Sequence, residues 1–144
     1  MVEVTPASVD AMRRAHSELL REVEELRAAI RPPLAPTLAG VGARLGAVRA
    51  RVLEHFRIEE EGGYMAVVRQ RQPRLEGAVY RLAAEHVDLL RALDALIRTA
   101  AGDTRFDARF GNEITAWAES LERHEDRENR LIEDAFDLDL GPAD

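Results

Sequence analysis

The sequence contains no cysteine. This excludes disulfide bonds, thiolate nucleophiles, zinc–thiolate sites and cysteine-bound iron–sulfur clusters. Chemistry at a metal would therefore have to use oxygen and imidazole ligands. Aromatic residues are also scarce, at 5% of the chain, and there are only 9 Gly and 6 Pro. Leu, Ala, Glu and Arg are abundant instead, and this composition predicts an all-α protein.

Acidic residues outnumber basic ones. The chain has 27 Asp and Glu but 20 Lys and Arg, which gives a formal net charge of -7. A surface that tracks phosphates is therefore not expected, and we predict no nucleic-acid partner. No apolar run approaches the ~18 residues that span a bilayer, so no membrane association is expected. Residues 1–4 lack the basic stretch and apolar core of a signal peptide, which predicts a cytoplasmic protein.

The length of 144 residues predicts a single domain over residues 1–144. Prolines and glycines divide it into four predicted helices, at about 6–30, 37–71, 74–101 and 106–136, followed by an acidic tail at 137–144. Short connections between helices of similar length make sequential helices antiparallel neighbours. We therefore predict an up-down-up-down four-helix bundle.

Each predicted helix carries an apolar seam whose spacing alternates between three and four residues, as in a bundle core. The four histidines all lie on this seam, one in each helix; they are His16, His55, His86 and His124. If the seam takes two of every seven positions, chance would place all four there in roughly 0.7% of cases. At a rise of about 1.5 Å per residue they also lie at comparable depths. The pattern predicts a polar layer across the bundle.

Two glutamates extend this layer, since Glu59 and Glu128 each follow a seam histidine by four residues, about one helical turn. A single core histidine could be a hydrogen-bonded packing residue, but six buried polar groups without partners would cost several kcal/mol each. Two divalent or trivalent cations would neutralise them, with each carboxylate bridging the metals or capping one. The predicted metal ligands are His16, His55, Glu59, His86, His124 and Glu128.

The residues around these six carry weaker signals. Neighbouring acids are expected on solvated helix faces; they are Glu60, Glu61, Glu125 and Asp126. Glu85 precedes His86 and is expected either behind the histidines or on the surface. Tyr64 is off the straight seam, but a kink at Gly62-Gly63 would turn its phenol toward the site.

These residues resemble the hemerythrin-like family, or HHE cation-binding domain, a four-helix bundle that holds a non-heme diiron centre. The resemblance covers nearly the whole chain. Its carriers are His16, His55-Phe56-Arg57-Ile58-Glu59, His86 and His124-Glu125-Asp126-Arg127-Glu128-Asn129. Ferritin-type diiron bundles place a glutamate three residues before histidine, and the corresponding positions here are Val52, Ala83 and Leu121. The ferritin type is therefore disfavoured.

Oxygen-carrying hemerythrins have a further histidine on the third helix and an aspartate on the fourth, where this chain has Leu90 and Asn129. The resemblance is closer to the bacterial branch with four histidines and two glutamates. That is also the pattern of the iron-sensing domain of a eukaryotic ubiquitin-ligase subunit. It implies an oxo- or hydroxo-bridged pair of irons, one bound by His16 and His55 and the other by His86 and His124. Glu59 and Glu128 would bridge them.

A diiron site with few histidines should keep exchangeable positions for water, dioxygen, peroxide or nitric oxide. Our first hypothesis is a protein that binds or consumes such oxidants, with catalase-like activity as one form of that chemistry. The alternatives are an iron- or oxygen-sensing module without turnover and a metal-free structural bundle. Imidazole and carboxylate also suit manganese and zinc. A protein partner is not indicated by any motif.

Overall fold

A computed structural model describes residues 6–34, 36–61, 63–102 and 105–136. Its helices, in chain order, are α1 (Pro6–Ile30), α2 (Leu38–Glu60), the short α3 (Tyr64–Arg71), α4 (Glu76–Ala100) and α5 (Ala108–Phe136), with one 3-10 turn (Pro73–Leu75) before α4. No strand occurs in these ranges. Each of the four long helices packs against two others: α1 and α4 both contact α2 and α5. The prediction of an all-α four-helix bundle is confirmed.

The second predicted helix differs from expectation, because about 37–71 is divided into two helices. α2 begins after Thr37, whose hydroxyl accepts a hydrogen bond from the Gly40 amide at 3.0 Å, and it ends at Glu60. A Cβ atom at Gly63 would overlap the backbone of the last turn of α2. The chain therefore folds back over the end of α2 and starts a new helix. Gly62 and the predicted acidic tail at 137–144 lie outside the described residues.

The apolar core consists of two clusters. The large cluster occupies the part of the bundle that faces the α1–α2 and α4–α5 connections; its members include Leu19, Leu26, Val41, Leu45, Val52, Phe56, Leu93, Ile114 and Leu121. The α3 cluster lies at the other end, where α3 packs on α2, α4 and α5; its buried residues are Tyr64, Met65, Val68, Leu75, Val79, Leu82, Leu131, Ile132 and Ala135. On α4, His86 lies between Leu82 of the α3 cluster and Leu89 of the large cluster. The polar layer thus separates two apolar regions.

One hydrogen bond ties α5 to α4 beside this layer. Trp117 is buried, and its Nε1–H donates to the carbonyl oxygen of Leu89 at 3.0 Å. The indole is thus a core residue whose polar atom is satisfied. Across the part of the chain that the structure describes, no helix has the length and apolar character that crossing a membrane requires.

Candidate metal centre

The four histidine rings meet in the middle of the bundle, one from each long helix. They form two pairs. His16 of α1 and His55 of α2 have ring centroids 5.0 Å apart, and His86 of α4 and His124 of α5 have centroids 4.8 Å apart. His124 is fully buried and His55 is the most exposed of the four, at 11%. All four rings thus lie on the inward side of their helices.

Glu59 lies between the two pairs of rings. Its Oε2 is 3.2 Å from Nε2 of His16 and 3.3 Å from Nε2 of His55. Its Oε1 is 3.3 Å from Nε2 of His86. One carboxylate therefore faces histidines from three helices, and it is 3% exposed.

Glu128 lies between the pairs from the side of α5. Its Oε1 is 3.1 Å from Nε2 of His124 and 3.9 Å from Nε2 of His16. Its Oε2 is 3.7 Å from Nε2 of His86. The two glutamates that follow histidines by one turn are therefore both buried and both shared by the ring pairs.

The prediction that Glu125 lies on a solvated helix face is wrong. Glu125 is 1% exposed, and its two oxygens lie 3.0 Å from Nε2 of His16 and 3.6 Å from Nε2 of His55. Consecutive helical residues point about 100° apart, and α5 packs against both α4 and α1. His124 therefore faces α4 while Glu125 faces α1 and α2.

The burial of Glu125 could have been predicted from the spacing of apolar residues on α5. Ala118 and Ile132, seven residues to either side of it, are both buried. The three positions form a second heptad stripe on α5, next to the one that carries His124. The other neighbouring acids are exposed, as expected; they are Glu60, Glu61 and Asp126.

The outer ring nitrogens of the α4–α5 pair are held by carboxylates. Nδ1 of His86 contacts Oε2 of Glu60 at 2.9 Å, and Nδ1 of His124 contacts Oε1 of Glu85 at 2.8 Å. Arg127 in turn donates to Glu85 at 2.8 Å. Because each carboxylate oxygen can only accept, Nδ1 is the donor and Nε2 points into the site. Carboxylates in this arrangement orient metal-binding imidazoles.

His16 is oriented in the same way by an amide. Its Nδ1 donates to Oδ1 of Asn129 at 2.9 Å, which leaves Nε2 facing the layer. Asn129 stands where oxygen carriers have an aspartate, and here it supports a histidine from outside. Leu90, at the other departure from those carriers, packs against the large cluster.

Two aromatic residues complete the layer. Tyr64 begins α3, is 3% exposed, and donates its hydroxyl hydrogen to Oε2 of Glu128. The turn at Gly63 therefore brings the phenol to the site, which is the outcome predicted for a bent chain. Phe56, for which the sequence pattern predicts no role at the site, stacks on His86 with ring centroids 3.8 Å apart and an interplanar angle of 7°. Its burial could have been predicted, because Phe56 follows the core residue Val52 by one helical turn.

The buried carboxylates control the charge of the histidines. Burial lowers the pKa of His55, but Glu125 and Glu59 outweigh that effect and raise the pKa to about 10. Burial likewise opposes the rise for His86, whose pKa is raised to about 10 by Glu128, Glu59 and Glu60. The pKa values of the other two site histidines are also raised. In the absence of metal the rings of His55 and His86 are therefore protonated at neutral pH.

The pKa values of the buried acidic groups in the layer are shifted in different directions. Burial raises the pKa of Glu59, but contacts with three histidines hold it well below its ordinary value. Burial dominates at Glu125, whose pKa is raised. The pKa of Tyr64 is raised well above its ordinary value by burial and by the charge of Glu128, so its hydroxyl remains a donor.

The layer contains buried polar atoms that have no hydrogen-bonding partner among the described residues. They are Nε2 of His55, His86 and His124, Oε1 of Glu59, both carboxylate oxygens of Glu125, and Oε1 of Glu128. Leaving such atoms unsatisfied costs about 1–3 kcal/mol each. A bound cation removes this cost, because imidazole nitrogen and carboxylate oxygen are suitable ligands for iron, manganese and zinc. The residues present therefore fit a metal.

The ligand atoms divide into two groups, within each of which they all lie within 4.8 Å of one another. The α1–α2 position consists of His16, His55, Glu59, Glu125 and Glu128. The α4–α5 position consists of Glu59, His86, His124 and Glu128. At a metal–ligand distance of about 2.1 Å, neighbouring ligand atoms are about 3.0 Å apart and opposite ones about 4.2 Å. The limit of 4.8 Å is slightly longer than this, so each group would contract by a small amount around one ion.

Comparison with known proteins agrees with this geometry. No curated protein and no solved structure matches the chain. The family model described as "Hemerythrin HHE cation binding domain" matches residues 7–136, which span all five helices and every residue of both positions. The chain therefore belongs to the hemerythrin HHE cation-binding family.

Proposed function

We propose that this protein is a non-heme diiron protein that binds or reacts with dioxygen, peroxide or nitric oxide, and so handles oxidative or nitrosative stress. The observation that carries the proposal is that two groups of candidate ligands share the same two buried glutamates, Glu59 and Glu128. Two metals that share carboxylates lie close enough to act together on one small molecule. The proposed iron ligands are His16, His55, Glu59, His86, His124 and Glu128.

The ligand count supports reactivity. The α4–α5 position offers two imidazoles and two shared carboxylates. A six-coordinate ion held by these four residues keeps positions that water or a small oxidant can exchange. Bound iron would supply binding and one-electron reduction of such molecules.

The surrounding residues support that chemistry by excluding water, holding a proton and orienting the imidazoles. The large cluster and the α3 cluster cover the layer on both sides and limit water access. Phe56 stacks on His86 and shields that ring. Tyr64 holds a proton at Oε2 of Glu128, where it can be shared with that carboxylate. Glu60 and Glu85 fix the orientation of the α4–α5 imidazoles.

Elemental analysis and stopped-flow mixing with hydrogen peroxide test the proposal. We expect about two irons per chain and oxygen release faster than that of free iron, with both reduced in His86→Ala. Val87→Ala is the matched control, because Val87 is the next residue on α4 and is exposed. Zinc or no metal after anaerobic reconstitution with iron would refute the diiron site. Two irons without peroxide, dioxygen or nitric oxide chemistry would refute the reactivity.

A second function is favoured by the unsatisfied atoms of the layer. A site whose polar groups are satisfied only by metal couples metal binding to folding, which suits an iron- or oxygen-sensing module without turnover. Circular dichroism of the metal-free protein separates the two functions. A large loss of helix on iron removal, with no turnover in the loaded form, supports sensing. An unchanged fold with fast turnover supports oxidant handling.

A further inference from the structure

One buried carboxylate of the layer is not among the six proposed iron ligands. We propose that Glu125 is a seventh ligand, which binds only the metal held by His16 and His55. The two metal positions are then unequal, and small external ligands bind at the one held by His86 and His124. This inference rests on the proposed diiron function and adds to it a residue and a preferred binding position.

The contacts of Glu125 place it at one position. Its Oε2 is 3.0 Å from Nε2 of His16 and its Oε1 is 3.6 Å from Nε2 of His55. Both distances lie in the range for ligand atoms around one ion. Glu59 and Glu128, in contrast, each lie within 4 Å of histidines from both pairs. Glu125 is thus a terminal group and the other two are shared.

Glu125 faces the ring nitrogens on the side where a metal binds. Glu60 and Glu85 each accept from an outer Nδ1 atom, so they hold the rings from behind. The oxygens of Glu125 lie against inner Nε2 atoms. Both oxygens are buried and neither makes a hydrogen bond within the described part of the chain. The only ion-pair contacts of Glu125 there are with these two Nε2 atoms, which are the atoms that would bind the metal.

The extra carboxylate makes the two positions differ in their number of ligands. The α1–α2 position has two imidazoles and three carboxylates, whereas the α4–α5 position has two imidazoles and two carboxylates. Six-coordinate ions would therefore retain more exchangeable sites at the α4–α5 position. The ion at the α1–α2 position is correspondingly more saturated.

The more open position is also next to a cavity. A cavity of about 460 Å³ lies between α4 and α5, and its lining includes His124 together with Leu89, Trp117 and Glu85. His124, which belongs to the α4–α5 position, is the one residue of either metal position in this lining. A small molecule in this cavity would lie beside the ring of His124, on the side where Glu85 holds Nδ1.

Mössbauer spectroscopy of the protein loaded with ⁵⁷Fe tests the inference without an activity assay. We expect two quadrupole doublets of equal area in the wild type. Glu125→Gln, which keeps the shape of the side chain but removes its charge, should shift one doublet and release that iron to a chelator at least about tenfold faster. Azide added to the wild type should shift the other doublet. Asp126→Asn, an exposed neighbour on the same helix, should leave both unchanged.

The outcomes separate this inference from the diiron proposal. Two irons in the wild type with unchanged doublets in Glu125→Gln would overturn the role of Glu125 and leave the diiron site standing. Azide acting on the doublet that Glu125→Gln shifts would overturn the preferred position. A wild type that takes up no iron would refute the diiron proposal itself. If Glu125→Gln does not fold, Glu125→Asp retains the charge on a shorter side chain and is expected to shift the same single doublet.

Discussion

The phenol of Tyr64, on the first turn of α3, donates a hydrogen bond to Oε2 of Glu128 in the middle of α5. These residues are 64 positions apart in the sequence and both are buried. The bond ties the short helix at one end of the bundle to a carboxylate that both ring pairs share. It links the packing of α3 to the charge of the candidate metal centre.

Removing this hydroxyl should destabilise the metal-free protein. In Tyr64→Phe the buried Oε2 of Glu128 loses its donor, so we expect the free energy of unfolding to fall by about 1–3 kcal/mol. Urea unfolding of metal-free protein measures it. Tyr80→Phe removes the other tyrosine hydroxyl of the chain, on an exposed side chain of α4, and should have little effect. Equal stability of the two variants would contradict the structural role of the bond.

The turn at Gly63 should tolerate no side chain. A Cβ atom there would come within 2.7 Å of the Glu59 carbonyl oxygen, so the backbone of Gly63→Ala must move and carry Tyr64 with it. We expect a loss of stability of about 1–3 kcal/mol and a lower iron content. Gly46→Ala, within α2 where a Cβ meets nothing within 4 Å, should instead stabilise by roughly 0.5–1 kcal/mol. Thermal unfolding of both variants distinguishes the expected loss of stability in Gly63→Ala from the expected gain in Gly46→Ala.

The carboxylate behind His124 should control metal affinity without contacting the metal. Glu85→Gln weakens the acceptor for Nδ1 of His124, and we expect iron affinity to fall by roughly tenfold to a hundredfold. Asp88→Asn, an exposed acid on the same helix that lines the same cavity, serves as the control. Competition with a chelator gives both affinities. An unchanged affinity in Glu85→Gln would show that the ring is oriented by packing alone.

Metal uptake should release protons. The pKa values of His55 and His86 are raised from 6.5 to about 10 in the metal-free site, so these rings carry protons at pH 7 that a metal must displace. Metal affinity should therefore rise with pH toward about 10. The contribution of these charged rings to the stability of the metal-free protein is complete below pH 6.5 and is lost as the pH rises through about 10. Calorimetric titrations in buffers of different ionisation enthalpy count the protons, and a pH-independent affinity would contradict the expectation.

Filling the α4–α5 cavity should slow external ligands without removing iron. Ala92 lines this cavity, and the indole of Ala92→Trp would occupy part of it. We expect the same iron content as the wild type and several-fold slower azide binding by stopped-flow absorption. Ala95→Trp places the same ring on an exposed position of α4 outside that lining. Equal rates in the two variants would mean that ligands enter elsewhere.

Much of the candidate site could be predicted from helical periodicity. Four histidines on four apolar seams, with Glu59 and Glu128 one turn after two of them, are properties of each helix separately. A seam must face inward in a bundle, so residues on it converge wherever the helices meet. The structure buries both glutamates and brings all four rings together, although His55 keeps some exposure.

The places where prediction was incomplete depend on how helices meet. A single-seam pattern predicts that Glu125, next to His124 in the chain, lies on the surface. It is buried because α5 has two neighbours, α1 and α4, so two adjacent positions can both face inward. The division of α2 from α3 is a similar case, because the close approach of Gly63 to the last turn of α2 is a three-dimensional contact.

A helical bundle with a polar layer of four histidines and two glutamates follows from the amino-acid pattern, because seam position is a local property of each helix. The pairing of the rings, the approach of Glu125 to His16 and His55, and the contact of Tyr64 with Glu128 follow from the packing of the helices. These relationships are set by the rotation and spacing of helices that are distant in the chain, and no local pattern specifies them.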